Sequence, residues 1–184
     1  MAALDLSKGR DVQYAAGFAL GLAGNYSRSE ALADDLEKRF PEDTFAKFSY
    51  VPVLRAVALM GRTKYPDSVA GLEIARNYEL AVNGLNFHNY LGGLHSAYVR
   101  GEAFAAGHRY GEAAAEFQKI LDHRGIVGLD PIGALAHLQL GRVFALSGNK
   151  ARAKAAYETF LALWKDADPT TPVLKNAKAE YARL

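Results

Sequence analysis

The chain has 184 residues, half of them hydrophobic, with 22 lysines and arginines against 20 aspartates and glutamates and no cysteine. That length holds one ordinary domain or a short array of repeats. A net charge of +2 without basic clusters gives no footprint for nucleic acid, and the missing thiols exclude disulfides, thiolate zinc sites and cysteine nucleophiles together.

The first unit runs over residues 10–43. Its opening stretch, "YAAGFALGLAG", is eleven residues of apolar sequence, short of the roughly 18 that a membrane span needs. Asp5 and Asp11 precede it, unlike the basic start of a signal peptide. Gly17, Leu20, Ser29, Ala33 and Leu36 mark two apolar helix stripes, and Ser27-Arg28-Ser29-Glu30 has the form of a capping box at the second helix. Pro41 closes the unit. A less regular pair follows over 44–80, its second helix opened by Pro66 and carrying Ala70 and Ile74. An Asn83-Gly84 turn and the aromatic stretch "NFHNY" lead onward.

The third unit, 87–125, sets Gly101, Phe104, Ala113 and Phe117 at helix spacing. His123, Arg124 and Gly125 have the composition of a helix end, with Gly125 as the left-handed cap. Asp130-Pro131 opens the fourth unit, 130–167. There His137, Leu140, Gly141 and Phe144 form one stripe, Gly148 stops the helix, and Ala153, Tyr157, Phe160 and Trp164 form the next. Thr171-Pro172 starts a last helix, 171–184, with Leu174, Ala177, Tyr181 and Leu184 on one side and Lys175, Lys178 and Arg183 on the other. No segment alternates with period two. The expectation is about nine helices and no strand.

Gly101, Phe104, Ala113 and Phe117 stand to one another as Gly141, Phe144, Ala153 and Tyr157 do. A small residue on one helix, a small residue twelve positions on, then an aromatic four later resembles the tetratricopeptide repeat, whose period is roughly 34 residues. The step from Gly101 to Gly141 is longer, which makes "HRGIVGLDP" an inserted connection. Residues 116–184 resemble in particular the carboxy-terminal repeat region of bacterial eukaryotic-like serine/threonine protein kinases and of related regulators with a winged-helix domain. The resemblance implies an all-α, right-handed superhelix of about four helix-turn-helix repeats with a capping helix. It also implies a module normally fused behind a signalling or regulatory domain.

Residues that could carry chemistry do not combine into a site. "DHRG" lacks the aspartate of a kinase catalytic loop, and neither a DFG triplet nor a GxSxG elbow occurs. His88, His95 and Glu102 follow at two-turn steps of roughly 10 Å, too far apart for zinc ligands at about 2 Å. The acid pairs Asp34-Asp35 and Glu42-Asp43 point in different directions from helix surfaces. The expectation is therefore no enzyme and no cofactor. The partner is a protein or peptide, with oligomeric state open and the cytoplasm favoured over an extracytoplasmic location. The alternative is a ligand-sensing or dimerisation domain that controls a fused kinase or transcription regulator.

By resemblance, partners would lie in a groove lined by the first helix of each repeat. The positions are His95, Tyr98 and Glu102 in the third unit, Leu138 and Arg142 in the fourth, and Tyr14 and Phe18 in the first. Some family members grip chain-terminal carboxylates with lysine and asparagine there. Tyr14, Phe18 and Leu138 stand in those places, so the clamp is absent. The other reading of Glu102 and Arg142 is a plain ion pair between neighbouring helices.

Overall fold

The computed structural model describes residues 2–81 and 94–184, and every regular element within them is helical. The α-helices are α1 Ala2–Leu6, α2 Arg10–Leu22, α3 Tyr26–Arg39, α4 Val51–Gly61, α5 Tyr65–Gly71, α6 His95–Ala106, α7 Tyr110–Asp122, α8 Arg124–Val127, α9 Ile132–Leu146, α10 Lys150–Leu163 and α11 Pro172–Tyr181. Eleven stand where nine were expected, because α1 and α8 are single-turn pieces that no apolar stripe announces. The Asn83-Gly84 turn, the aromatic stretch and His88 lie outside the described residues. Among those described, no helix is long and apolar enough to cross a membrane.

Four helix hairpins, α2–α3, α4–α5, α6–α7 and α9–α10, share one turn. The backbone passes through positive φ at Gly24 (84°), Thr63 (57°), His108 (60°) and Gly148 (80°). The next N–H then donates to the carbonyl five residues back: Asn25 to Leu20, Lys64 to Leu59, Arg109 to Phe104 and Asn149 to Phe144, at 2.8–3.0 Å. This is the six-to-one bond of a Schellman ending, which satisfies carbonyls the helix leaves orphaned. The residue making it starts the next helix with φ between −91° and −87° and ψ between 60° and 73° in all four copies.

Counting from these turns aligns the copies. Seven residues before the positive-φ position stand Gly17, Ala56, Gly101 and Gly141; five after it stand Ser29, Ser68, Ala113 and Ala153, none of which exposes measurable surface. Four further on are Ala33, Leu72, Phe117 and Tyr157, also buried. The second hairpin therefore uses Ser68 and Leu72. Ala70 and Ile74, expected to face inward, are exposed. The cause is the turn residue: Thr63 has no glycine signature, and a β-branched residue at positive φ is uncommon.

Three further sequence readings change. The capping box does not form, since α3 begins two residues earlier after Asn25, and Glu30 pairs with Arg62 across to the α4–α5 turn. Gly125 is inside α8, and Gly128 makes the left-handed turn instead, with φ 57° and ψ −119°. That ψ lies outside even the left-handed helical region and is open in practice to glycine alone. The helix ahead of α4 is widened over Ala46–Tyr50, where Val51 donates to Ala46 five residues back. Pro52 has no N–H to give Phe48, and a π-turn just ahead of it absorbs the missing bond.

The opening of α9 agrees with expectation to within a residue. Asp130 Oδ1 accepts from the Ile132 N–H at 3.0 Å, as a capping acceptor should. Core side chains fill the space between hairpins. Tyr50, Val53 and Leu54 pack with Leu36; Phe117 and Ile120 pack with Ala136 and Leu140; Phe160 packs with Leu174 and Ala177 of α11.

Candidate functional site

The seven predicted groove residues fall into three groups, and most of them are inside the protein. Tyr14 on α2 has no exposed surface, and its ring stacks on Tyr50 with centroids 3.9 Å apart. Its hydroxyl meets His95 Nδ1 at 2.8 Å, while the Phe18 ring lies against the His95 ring at 4.6 Å. His95 Nε2 in turn meets Asp130 Oδ2 at 2.6 Å. With Asp130 ionised, Nε2–H donates to it, and Nδ1 is left to accept from the hydroxyl. Burial raises the Tyr14 pKa, which keeps that hydroxyl protonated. The chain Tyr14–His95–Asp130 thus ties the first unit to the third and to the start of the fourth.

Tyr98 and Glu102 form the second group around Gln139 of α9. The Gln139 amide nitrogen donates to the Tyr98 hydroxyl at 3.1 Å and to Glu102 Oε1 at 2.8 Å. Leu138 and Arg142 form the third. Leu138 is buried against Tyr157, Phe160 and Leu174. Arg142 grips Glu180 of α11 with two bonds of 2.8 Å, and Tyr157 donates to the same carboxylate at 2.9 Å.

This packing covers five of the seven expected groove residues. Tyr14, Phe18, His95, Tyr98 and Leu138 are each at most 8 % exposed. Buried polar groups take partners within the fold, and here they take them from distant parts of the chain. Glu102 and Arg142 stay partly exposed but do not pair with each other, because Gln139 and Glu180 occupy them.

Glu102 yields a testable consequence. Burial pushes its carboxyl up to about 7, although the Tyr98 and Gln139 bonds and the Arg142 charge pull the other way. An unfolded glutamate titrates near 4.5. The folded state therefore holds a proton that the unfolded state releases as pH rises from about 4.5 to about 7, and stability falls over that window and stays lower above it. Glu102→Gln removes the charge and keeps an acceptor for Gln139. It should stabilise the protein at pH 8 by about 1–3 kcal/mol and have little effect at pH 4.5. Urea unfolding of both proteins at the two pH values measures this. An equal gain at both would mean that Glu102 ionises freely in the fold.

A charged cluster escaped the sequence reading. Arg100, with no exposed surface, donates from Nε and from one terminal nitrogen to the two oxygens of Glu116, both at 2.7 Å, and meets Glu79 at 2.6 Å. Glu79, also wholly buried, accepts from Ser96 at 3.0 Å and pairs with Lys119. Four charges of alternating sign so join the end of the second unit to α6 and α7. The sequence signal was an arginine amid the apolar positions of "HSAYVRGEAF", with Glu116 at the same sixteen-residue separation as Gly101 from Phe117.

The other missed feature is an open cleft of about 810 Å³ beside the lengthened connection. Ile120, Leu121, Leu129, Leu163 and Trp164 give it apolar walls; Arg124, Asp130 and His137 give it polar ones. Leu129 is 76 % and Leu163 55 % exposed. Among the described residues no three His, Asp or Glu side chains gather as a metal site. Comparison with models of protein families, with curated proteins and with solved structures found no match.

Proposed function

We propose that this chain is a non-catalytic binding module of the tetratricopeptide type, a superhelix of four hairpins and a capping helix that holds a protein or peptide segment. In this reading it serves as the interaction part of a bacterial signalling or regulatory protein. The observation that carries it is where unspent apolar surface remains. The first helices of the hairpins use their side chains on one another, whereas Leu129 and Leu163 stand exposed on the rim of the cleft. Exposed apolar clusters with polar neighbours are characteristic of interaction sites. Tyr14, His95 and Asp130 have the composition of a catalytic relay, but a hydroxyl with no exposed surface offers no nucleophile to a substrate.

A second reading, ligand sensing for a fused kinase or transcription regulator, draws on the size of the cleft. About 810 Å³ lies within the roughly 300–1,000 Å³ of small-molecule sites. Retention of partner proteins by the wild type is compared with retention by Leu129→Asp, Leu163→Asp and by Tyr98→Ala, Arg142→Ala, each checked for folding. The first pair should abolish retention and the second should leave it. Retention by the rim variant equal to that of the wild type would move the interaction away from the cleft.

A further inference from the structure

We propose that the cleft takes an acidic peptide segment, a glutamate or aspartate next to a bulky apolar side chain. Arg124 and His137 hold the carboxylate, and Leu129, Leu163 and Trp164 seat the apolar group. The inference rests on the reading that this cleft is the binding surface.

Charge complementarity is the main ground. Arg124, exposed on α8, and His137, half-buried on α9, both line the cleft, and neither side chain makes a hydrogen bond or ion pair with a described residue. The single carboxylate among the lining residues is already committed: Asp130 gives Oδ2 to His95 and Oδ1 to the Ile132 N–H. The Arg124 guanidinium is therefore a cation with no bonded counter-ion, and His137 beside it offers a ring N–H. Burial lowers the His137 pKa and the Arg124 charge lowers it further, so near neutral pH the ring is uncharged and serves as a hydrogen-bond donor beside the guanidinium. A carboxylate between them is attracted to the guanidinium and accepts from the imidazole, whereas a lysine-bearing segment meets Arg124 as a like charge.

The backbone supplies the apolar half. Without the extra residues of the connection there would be no α8. The Gly128 turn after it leaves Leu129 exposed on the cleft that Leu163 and Trp164 also line. The Trp164 ring is held from behind by Phe160, with centroids 5.0 Å apart. An anchor entering here meets a rigid aromatic wall, the kind of pocket in which binding energy concentrates.

Trp164 is the chain's only tryptophan, so its emission reports occupancy without a label. The probes are a short synthetic peptide with leucine anchors and flanking glutamates, the same peptide with lysines for glutamates, and decanoate. The glutamate peptide should shift Trp164 emission and bind at least about tenfold more tightly than the lysine peptide. Arg124→Gln with His137→Gln should remove that preference, and Arg124→Glu should reverse it, with circular dichroism unchanged in each. Equal binding of the two peptides would overturn the acidic preference and leave the cleft as a binding surface. Failure of both peptides to move Trp164 would overturn the binding-surface reading as well. Binding of decanoate alone would also overturn the proposal, in favour of a small-ligand receptor.

Discussion

Arg100→Met is expected to destabilise the protein by about 3–5 kcal/mol, the usual consequence of removing one partner from a buried ion pair. That is a large part of the roughly 5–15 kcal/mol by which domains are stable. The reason lies in what remains. Arg100 spends its planar fork on Glu116, reaches Glu79 and lies 3.5 Å from the Leu72 carbonyl. Without it, Glu79 keeps Lys119 and Ser96, but Glu116 keeps only a 3.4 Å contact with Arg76, whose side chain is 41 % exposed. A carboxylate with 9 % of its side-chain surface exposed is then left nearly uncompensated. Arg100→Lys should restore little, because an ammonium cannot span both Glu116 oxygens. Arg100→Met with Glu116→Leu and Glu79→Gln should recover most of the loss, since replacing a whole buried ionic group by apolar residues is often neutral. Urea unfolding followed by circular dichroism measures all three. A single Arg100→Met variant within about 1 kcal/mol of the wild type would mean that water reaches the cluster.

The hairpins were legible where glycine and proline punctuate the chain. Gly148 ends α9, Thr171-Pro172 opens α11, and the stripes of the fourth unit sit where their spacing placed them. Thr63 and His108 make the same turn without that signal, and the second unit was consequently read two residues out of register. Gly125 misled in the opposite direction. Its composition fits a cap, but the chain continues one more helical turn, and the strained position falls to Gly128. A cap motif in sequence reports only that a helix could end there; the competing turn decides whether it does.

Five of the seven expected groove residues are buried for a different reason. Periodicity says which side of a helix faces inward, but not what fills the space beyond it. Tyr14 finds His95 across 81 positions, and Arg142 finds Glu180 across 38. Neither partner belongs to the neighbouring repeat element from which the expectation was built. Gln139 occupies Glu102 in the same way, so a pair that charge alone suggested never forms. Inserting residues before Asp130 also had two effects that no repeat alignment contains: it positioned Asp130 for His95, and it opened the cleft.

Gly141→Leu should lower the melting temperature by roughly 2–12 °C. A Cβ built on Gly141 would stand 2.8 Å from Cδ2 and 2.9 Å from Cε2 of Tyr157, closer than carbon atoms pack. Tyr157 cannot easily retreat, because it is 2 % exposed and its hydroxyl donates to Glu180 at 2.9 Å. Relief therefore requires α9 and α10 to separate, which disturbs Leu138 and the seat of α11. Overpacking costs about 1–3 kcal/mol and sometimes more, and in a chain of this length each kcal/mol moves the midpoint by about 2–4 °C. Gly101→Leu meets the same obstacle, with its Cβ 2.8 Å from the Phe117 ring. Gly111→Ala is the control. Its Cβ meets nothing within 4 Å on the exposed start of α7, so the variant should gain up to about 1 kcal/mol from helix propensity. Thermal melts that put Gly141→Leu beside Gly111→Ala would show that α9 and α10 can move apart freely. The close contact could then not be what sets the spacing of the hairpins.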